Sequence, residues 1–324
     1  MSGIYHPDTF HGLPVRTLPL PDGDGKPAAA PPATLPAADS VAWRLDCAWE
    51  GPDFPDLWRH FLDTVDPAGV RALLIGPWWA ENYSPLTPVI ELLAADAGRF
   101  PALRGLFLAD VVGEECEVSW LQMCDITPVL EAFPRLEELV VRGGGSGLNE
   151  ETLELLPVRH EALRSLRFES GGLPAPVVRA VGACELPALE RLELWLGSQW
   201  YEGDATMADV EPLLSGAAFP RLRHLGLQNS EFQDEIAAAV ASAPVVAQLD
   251  SLALSLGTLG DEGALALLNG QPLTHLSSLD LDHNYLSEPV RARIEELCAR
   301  EGIEVELEEA DDWDPDSRYV AISE

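Results

Sequence analysis

At 324 residues the chain exceeds the usual single-domain size, yet no linker divides its middle. An apolar fraction of 47% fits a folded protein, and no apolar run approaches the roughly 20 residues needed to span a bilayer. The net charge of −34, with Lys26 as the one lysine, denies the chain the basic surface that a phosphate backbone or an anionic membrane requires, so neither is an expected partner.

In chain order, Met1 to Phe10 has neither a basic start nor an apolar stretch; no signal peptide is expected, and the expected location is cytoplasmic. Residues 1–40 read as an N-terminal cap followed by a flexible segment, because residues 19–40 are rich in Pro, Ala, Gly and Asp. From residue 41 a period appears. The pattern L-x-x-L-x-L recurs as Val70-Leu73-Ile75, Leu103-Leu106-Leu108, Leu136-Leu139-Val141 and Leu163-Leu166-Phe168. It continues as Leu189-Leu192-Leu194, Leu222-Leu225-Leu227, Leu249-Leu252-Leu254 and Leu276-Leu279-Leu281. The starts are 33, 33, 27, 26, 33, 27 and 27 residues apart. Val41 to Leu45 reads as an irregular first unit, and Ile303-Val305-Leu307 as the last strand. The array thus covers 41–307 in about nine units. Residues 308–324 read as an acidic tail whose Tyr319 to Ser323 alternates like a short strand. The stretch from Glu301 to Glu324 holds ten acids and one arginine. Both termini are expected to cap the open ends of the array.

The period has a physical reading. In a strand the fourth and sixth positions of the pattern share one face, and the residue between them faces the other way. The last complete unit, Leu276-Ser-Ser-Leu279-Asp-Leu281-Asp-His-Asn284-Tyr-Leu286, places an Asn where a turn leaves backbone groups to be bonded. Helical stretches follow the strands at Asp234–Val240, Asp261–Leu268 and Ser287–Leu297. Asp234 and Asp261 recur at one repeat position and are expected as helix N-caps. Strands sit about 4.8 Å apart and packed helices about 8–10 Å, so a stack with helices on one side must curve. The expected fold is α/β: a leucine-rich-repeat solenoid, a horseshoe with a concave parallel β-sheet and convex helices.

These units, for example Leu249 to Pro272, resemble the ribonuclease-inhibitor-like class of leucine-rich-repeat proteins. The flanks Phe10-His-Gly-Leu-Pro-Val15 and Arg318 to Glu324 look like an uncharacterised bacterial branch of that class. The resemblance implies protein binding on the concave side, no catalytic residues, and genes encoded near radical-SAM and ATP-grasp enzymes in a biosynthetic or peptide-modifying system.

The residues show little sign of chemistry. The cysteines Cys47, Cys116, Cys124, Cys184 and Cys298 are odd in number and form no C-x-x-C pair, which speaks for reduced core cysteines and against a disulfide framework or a zinc site. The seven histidines show no ligand spacing, and the glycine run Gly143–Gly147 is followed by no lysine, so no metal and no cofactor are expected. Asp280, Asp282 and His283, like Glu114, Glu115 and Glu117, read as solvated acidic patches. Residues expected on the exposed concave face include Arg71, Arg104, Arg142, Arg164, Arg167, Arg191 and Arg223, against Asp110, Glu137, Glu138, Glu169, Glu190, Glu193, Asp250, Asp280 and Asp282, which is nearly balanced. Three units carry about six extra residues each, in loops 76–85, 109–120 and 195–206, and five of the nine tryptophans fall there. Trp and Tyr anchor protein interfaces, so Trp78, Trp79, Tyr83, Trp120, Trp195, Trp200 and Tyr201 are expected as an aromatic rim, with Arg142, Arg167 and Glu193 below it. Equally, those rings can serve to pack the longer loops onto the core. The expected function is a non-enzymatic protein-binding scaffold or regulatory subunit, its partner another protein. The alternatives are an enzyme or small-ligand receptor in a rim pocket, or a structural assembly subunit.

Overall fold

The structure, a computed structural model, describes residues 4–20, 35–145, 152–310, 314 and 316–323. Most of the Pro/Ala-rich segment, the end of the glycine run and most of the acidic stretch 311–315 therefore lie outside the described residues. Twelve strands form one sheet in sequence order: β1 Thr9–Phe10, β2 Leu13–Thr17, β3 Ala42–Leu45, β4 Ala72–Ile75, β5 Gly105–Leu108, β6 Glu138–Arg142, β7 Ser165–Glu169, β8 Arg191–Gly197, β9 His224–Ser230, β10 Ser251–Ala253, β11 Ser278–Asp280 and β12 Glu304–Glu306. Among these strands β1 and β2 pair antiparallel, and each later neighbouring pair is parallel. Among the described residues eight α-helices lie between the strands from β3 onward, one in each connection except that from β6 to β7: α1 Phe54–Thr64, α2 Thr87–Asp96, α3 Thr127–Ala132, α4 Ala175–Ala183, α5 Met207–Leu214, α6 Gln233–Val240, α7 Asp261–Asn269 and α8 Glu288–Glu301.

The register follows the period. Leu73, Leu106, Leu139, Leu166, Leu192, Leu225, Leu252, Leu279 and Val305 pair in one continuous row across β4–β12. The leucines of that row and the residues two positions on, such as Ile75, Leu108 and Leu227, are buried against the helices in one core, with Val305 half-buried at its end. Each fully buried leucine contributes about 1.5–3 kcal/mol. Asn284 does what its place suggests: its amide donates to the Leu281 and Glu308 carbonyls (2.9 and 3.0 Å), and its oxygen accepts from the Leu286 N–H (3.2 Å).

Three expectations change. Asp234 and Asp261 do not cap their own helices. Asp234 Oδ1 accepts from the backbone N–H groups of Gly260 and Gly263 (2.7 and 3.1 Å), at the start of α7. Asp261 accepts from the Ser287 N–H and hydroxyl (2.8 and 2.7 Å), just before α8. Each acid thus satisfies orphan donors of the next unit's helix, tying neighbours together. The tail is the second change: Tyr319 to Ser323 forms no strand. It runs back across the ends of the strands, where Ala321 N–H donates to Leu256 O (2.8 Å) and Ile322 exchanges two bonds with the buried Asn229 amide (2.6 and 2.9 Å). The third is that the N-terminal flank enters the sheet as β1 and β2 and then covers part of it, as described next.

Candidate functional site

One face of the sheet is packed by the helices; the other, the second face, carries the chemistry. Strand alternation assigns to it Ala42 and Arg44, Ala72 and Leu74, Gly105 and Phe107, Val140 and Arg142, Arg167 and Glu169, Glu193 and Trp195, Gly226 and Gln228, and Asp280. The first part of this series is apolar and sealed. Phe10, Ala42, Ala72, Leu74, Phe107 and Val140 make a separate buried cluster, with Leu13 and Val15 against it. Phe10 lies 5.9 Å from Phe107, and beyond the hairpin Tyr5 O accepts from Arg142 (3.3 Å) while His6 Nδ1 stands 3.0 Å from Asp110. The chain's own N-terminal arm therefore occupies this face over β3–β6.

A line of ion pairs then crosses the sheet. Arg44 Nε donates to Asp110 Oδ2 (2.8 Å), and Arg142 stands 3.6 Å from Asp110 Oδ1 while its Nε donates to Glu169 Oε2 (2.8 Å). Arg167 bridges Glu169 (3.1 Å) and Glu193 (3.5 Å), and Glu193 meets Arg191 and His224. Arg142, Asp110, Glu169 and Glu193 are all buried, which corrects the expectation that they line an exposed face. Their charges neutralise one another and are not free for a partner. For Glu193 burial opposes ionisation, but His224, Arg167 and Arg191 outweigh it and hold the carboxyl down at about 2.

Past β8 the character changes again. Gln228 Nε2 donates to Ser255 Oγ (2.8 Å), which donates to Asp280 Oδ2 (2.7 Å), while Gln228 Oε1 is buried with no donor. The second-face positions of β9–β12 hold no arginine, and Asp280, Asp282, Glu304 and Glu306 gather at their end. Burial, then Asp282 and Glu193, push Asp280 up; Asp280 first, then burial and the other nearby acids, push Glu306 up. Glu193, His224, Gln228, Ser255 and Asp280 bond across neighbouring strands, and among the described residues none of these side chains bonds to either terminus.

The rim aromatics divide into groups. Trp78, Trp79 and Tyr83 form one stack of edge contacts, with centroids at 4.8 and 5.1 Å, and Tyr83 reaches Cys116 of the second long loop. Trp78 and Trp79 are buried, whereas Tyr83 is exposed. Trp120 is half-exposed, Trp195 is half-buried on the second face, and Trp200 is 89% exposed. Tyr201, half-buried, sits in the short turn Gln199–Tyr201, which the left-handed Gly197 permits by its close approach to the Gly171 carbonyl. No ring contact given among the described residues joins Trp120, Trp195 or Trp200 to the Trp78 stack. The sequence reading missed Trp49, exposed on the loop after β3, because its unit is not one of the long ones. The five cysteines are buried and form no disulfide, and among the described residues no group of His, Cys, Asp and Glu is arranged to hold a metal. No described helix is long and apolar enough to cross a membrane.

No family model matches the chain, and no curated protein matches it. Among solved structures, the crystal structure of a protein from Bacteroides fragilis is similar, with a TM-score of 0.73 and 26% identity over 85% of this chain and 76% of that one. The two share an α/β fold over most of their lengths.

Proposed function

We propose that the chain is a leucine-rich-repeat solenoid of the ribonuclease-inhibitor-like class, a horseshoe whose concave side is the second face, and that it works as a non-enzymatic protein-binding scaffold. One observation carries the reading: the second face divides near β6–β7. Over β3–β6 it is largely apolar and filled by the N-terminal arm; over β8–β12 the side chains of Glu193, His224, Gln228 and Asp280 bond to neighbouring strands, an acidic row stands at the β11–β12 end, and Trp200 is exposed in the loop after β8. The docking surface is therefore the second half, and its partner presents cationic groups. Such a partner relieves the crowding that raises Asp280 and Glu306, gives Gln228 Oε1 a donor, and finds in Trp200 an aromatic anchor. Arg142 and Glu193 hold the sheet together beneath it, while Arg167, half-buried, remains within reach of the partner.

The test compares the full chain with a triple variant, Asp280→Asn, Glu306→Gln and Trp200→Ala, as bait for capture from the native cell. A stoichiometric protein retained by the full chain at low salt, released by salt, and lost from the variant, which melts no lower than the parent, supports the reading. Equal retention by both baits refutes it. Recovery of a small molecule in place of a protein favours a ligand receptor.

A further inference from the structure

The buried tryptophans of the first long loop are the wall of a cavity. It measures about 540 Å³, within the range of roughly 300–1,000 Å³ usual for small-ligand sites, and lies between the start of α1, the loop 78–85 and the start of α2. Trp78, Trp79 and Phe54 supply aromatic surface; Asp53, Glu81 and Asn82 supply polar atoms, and no Lys, Arg or His lines it. Asp53 stands at the N-cap position of α1 but accepts no capping bond there, and among the described residues neither the Asp53 nor the Glu81 carboxylate has an ion-pair or hydrogen-bond partner. The walls are fixed before any ligand arrives. Trp78 Nε1 donates to Ser84 O (2.7 Å) and closes the loop on itself, and Trp79 is wedged edge-on between Trp78 and Tyr83. The opposite loop is bonded to this one through Cys47 N–H to Pro77 O (2.9 Å) and Glu50 N–H to Ala80 O (3.2 Å). It is also strained: Ala48 and Glu50 both take left-handed backbone (φ 53° and 57°), and Gly51 approaches the Cys47 carbonyl so closely that no Cβ fits. That strained loop holds Trp49 out at 74% exposure.

We propose that this cavity binds an organic cation, a guanidinium or methylated ammonium group, held between the indole surfaces and the Asp53 and Glu81 carboxylates. Indole faces attract cations through the ring quadrupole, and two carboxylates with no competing base fix the sign of the charge. A neutral apolar ligand would leave both carboxylates without a partner; an anion would be repelled. The same chemistry reaches the site either as a free small molecule or as a side chain of a bound polypeptide. The inference does not depend on the docking surface over β8–β12.

Calorimetric titration of the full-length protein tests it with matched probes: choline against 3,3-dimethylbutan-1-ol, and N-acetylarginine amide against N-acetylcitrulline amide. Each cation is expected to bind, and each neutral partner to bind at least about tenfold more weakly. The variant Asp53→Asn/Glu81→Gln changes two exposed side chains, and its unchanged melting shows that the fold is kept. It should weaken cation binding about tenfold and leave the neutral probes unaffected. An arginine-containing peptide that binds where free arginine amide does not assigns the cation to a polypeptide; equal binding assigns it to a small molecule. The Asp280→Asn/Glu306→Gln/Trp200→Ala variant should bind every probe as the parent does. Equal affinity for charged and neutral probes, unchanged cation binding by the double variant, or no binding of any cation, free or in peptide, overturns the proposal.

Discussion

Glu193→Gln removes the charge on which Arg167, Arg191 and the His224 imidazole converge, and the structure sets the size of the effect. With the carboxyl held at about 2 against an ordinary 4.5, the folded state favours the ionised form by about 3 kcal/mol at neutral pH. Gln keeps the volume, so the loss is electrostatic: Arg191 loses its partner, Arg167 keeps Glu169, and His224 keeps only Ser251. The sign follows from a depressed carboxyl. Its stabilisation is complete above the unfolded value near 4.5 and disappears as pH falls through the folded value near 2. Urea titrations of both proteins should therefore differ by about 3 kcal/mol at pH 7, and the gap should shrink steadily below about pH 4.5. A difference under about 0.5 kcal/mol at pH 7, or one that persists unchanged into acid, refutes the claim that the ion-pair line is a structural tie of the second face.

Asp280 and Glu306 move the other way. Both are raised, so ionising them opposes folding, and the Asp280→Asn/Glu306→Gln variant should melt higher than the parent at pH 7, with the gain vanishing as pH falls through the carboxylate range. Leu252→Ala should cost about 2–5 kcal/mol by denaturant titration, since Leu252 is buried between Leu225 and Leu279 in the continuous row. Phe10→Ala should cost about 3 kcal/mol and make residues 4–17 sensitive to protease in the otherwise folded protein, because that ring anchors the arm against Phe107. Ending the chain at residue 315 should lower stability by about 1–3 kcal/mol, because the Asn229 amide would lose its partner Ile322.

The strand–helix repeat was legible because each unit states it locally: an L-x-x-L-x-L strand fixes its own face and register, and the unit 27 or 33 residues on repeats it. What covers the sheet was not legible, because coverage is a relation between distant segments. The arm reaches Asp110 from His6, 104 residues away, and the tail reaches Asn229 from Ile322, 93 residues away; no period links either pair. One local signal for the arm did exist. His11-Gly12, both left-handed, sits between Phe10 and the alternating Leu13 and Val15, which is the pattern of a tight hairpin. The direction of the rim tryptophans was hidden for a related reason. A long loop after a strand is seen in the spacing, but whether its rings turn outward, as Trp200 does, or inward, as Trp78 and Trp79 do, depends on what the loop closes upon. The first long loop closes on the start of α1 and encloses space; the third ends in a short turn and presents its indole to water. Rings of one type at one repeat position thus serve two purposes, and the repeat cannot distinguish them. The same limit applies to charge. Alternation put Arg142, Glu169 and Glu193 on the second face correctly, yet only the pairing of β6 with β7 and of β7 with β8 shows that they consume one another. The acidic row therefore falls where the arginines stop, beyond β8, and the proposed docking of a cationic partner rests on that boundary rather than on the balance over the whole face.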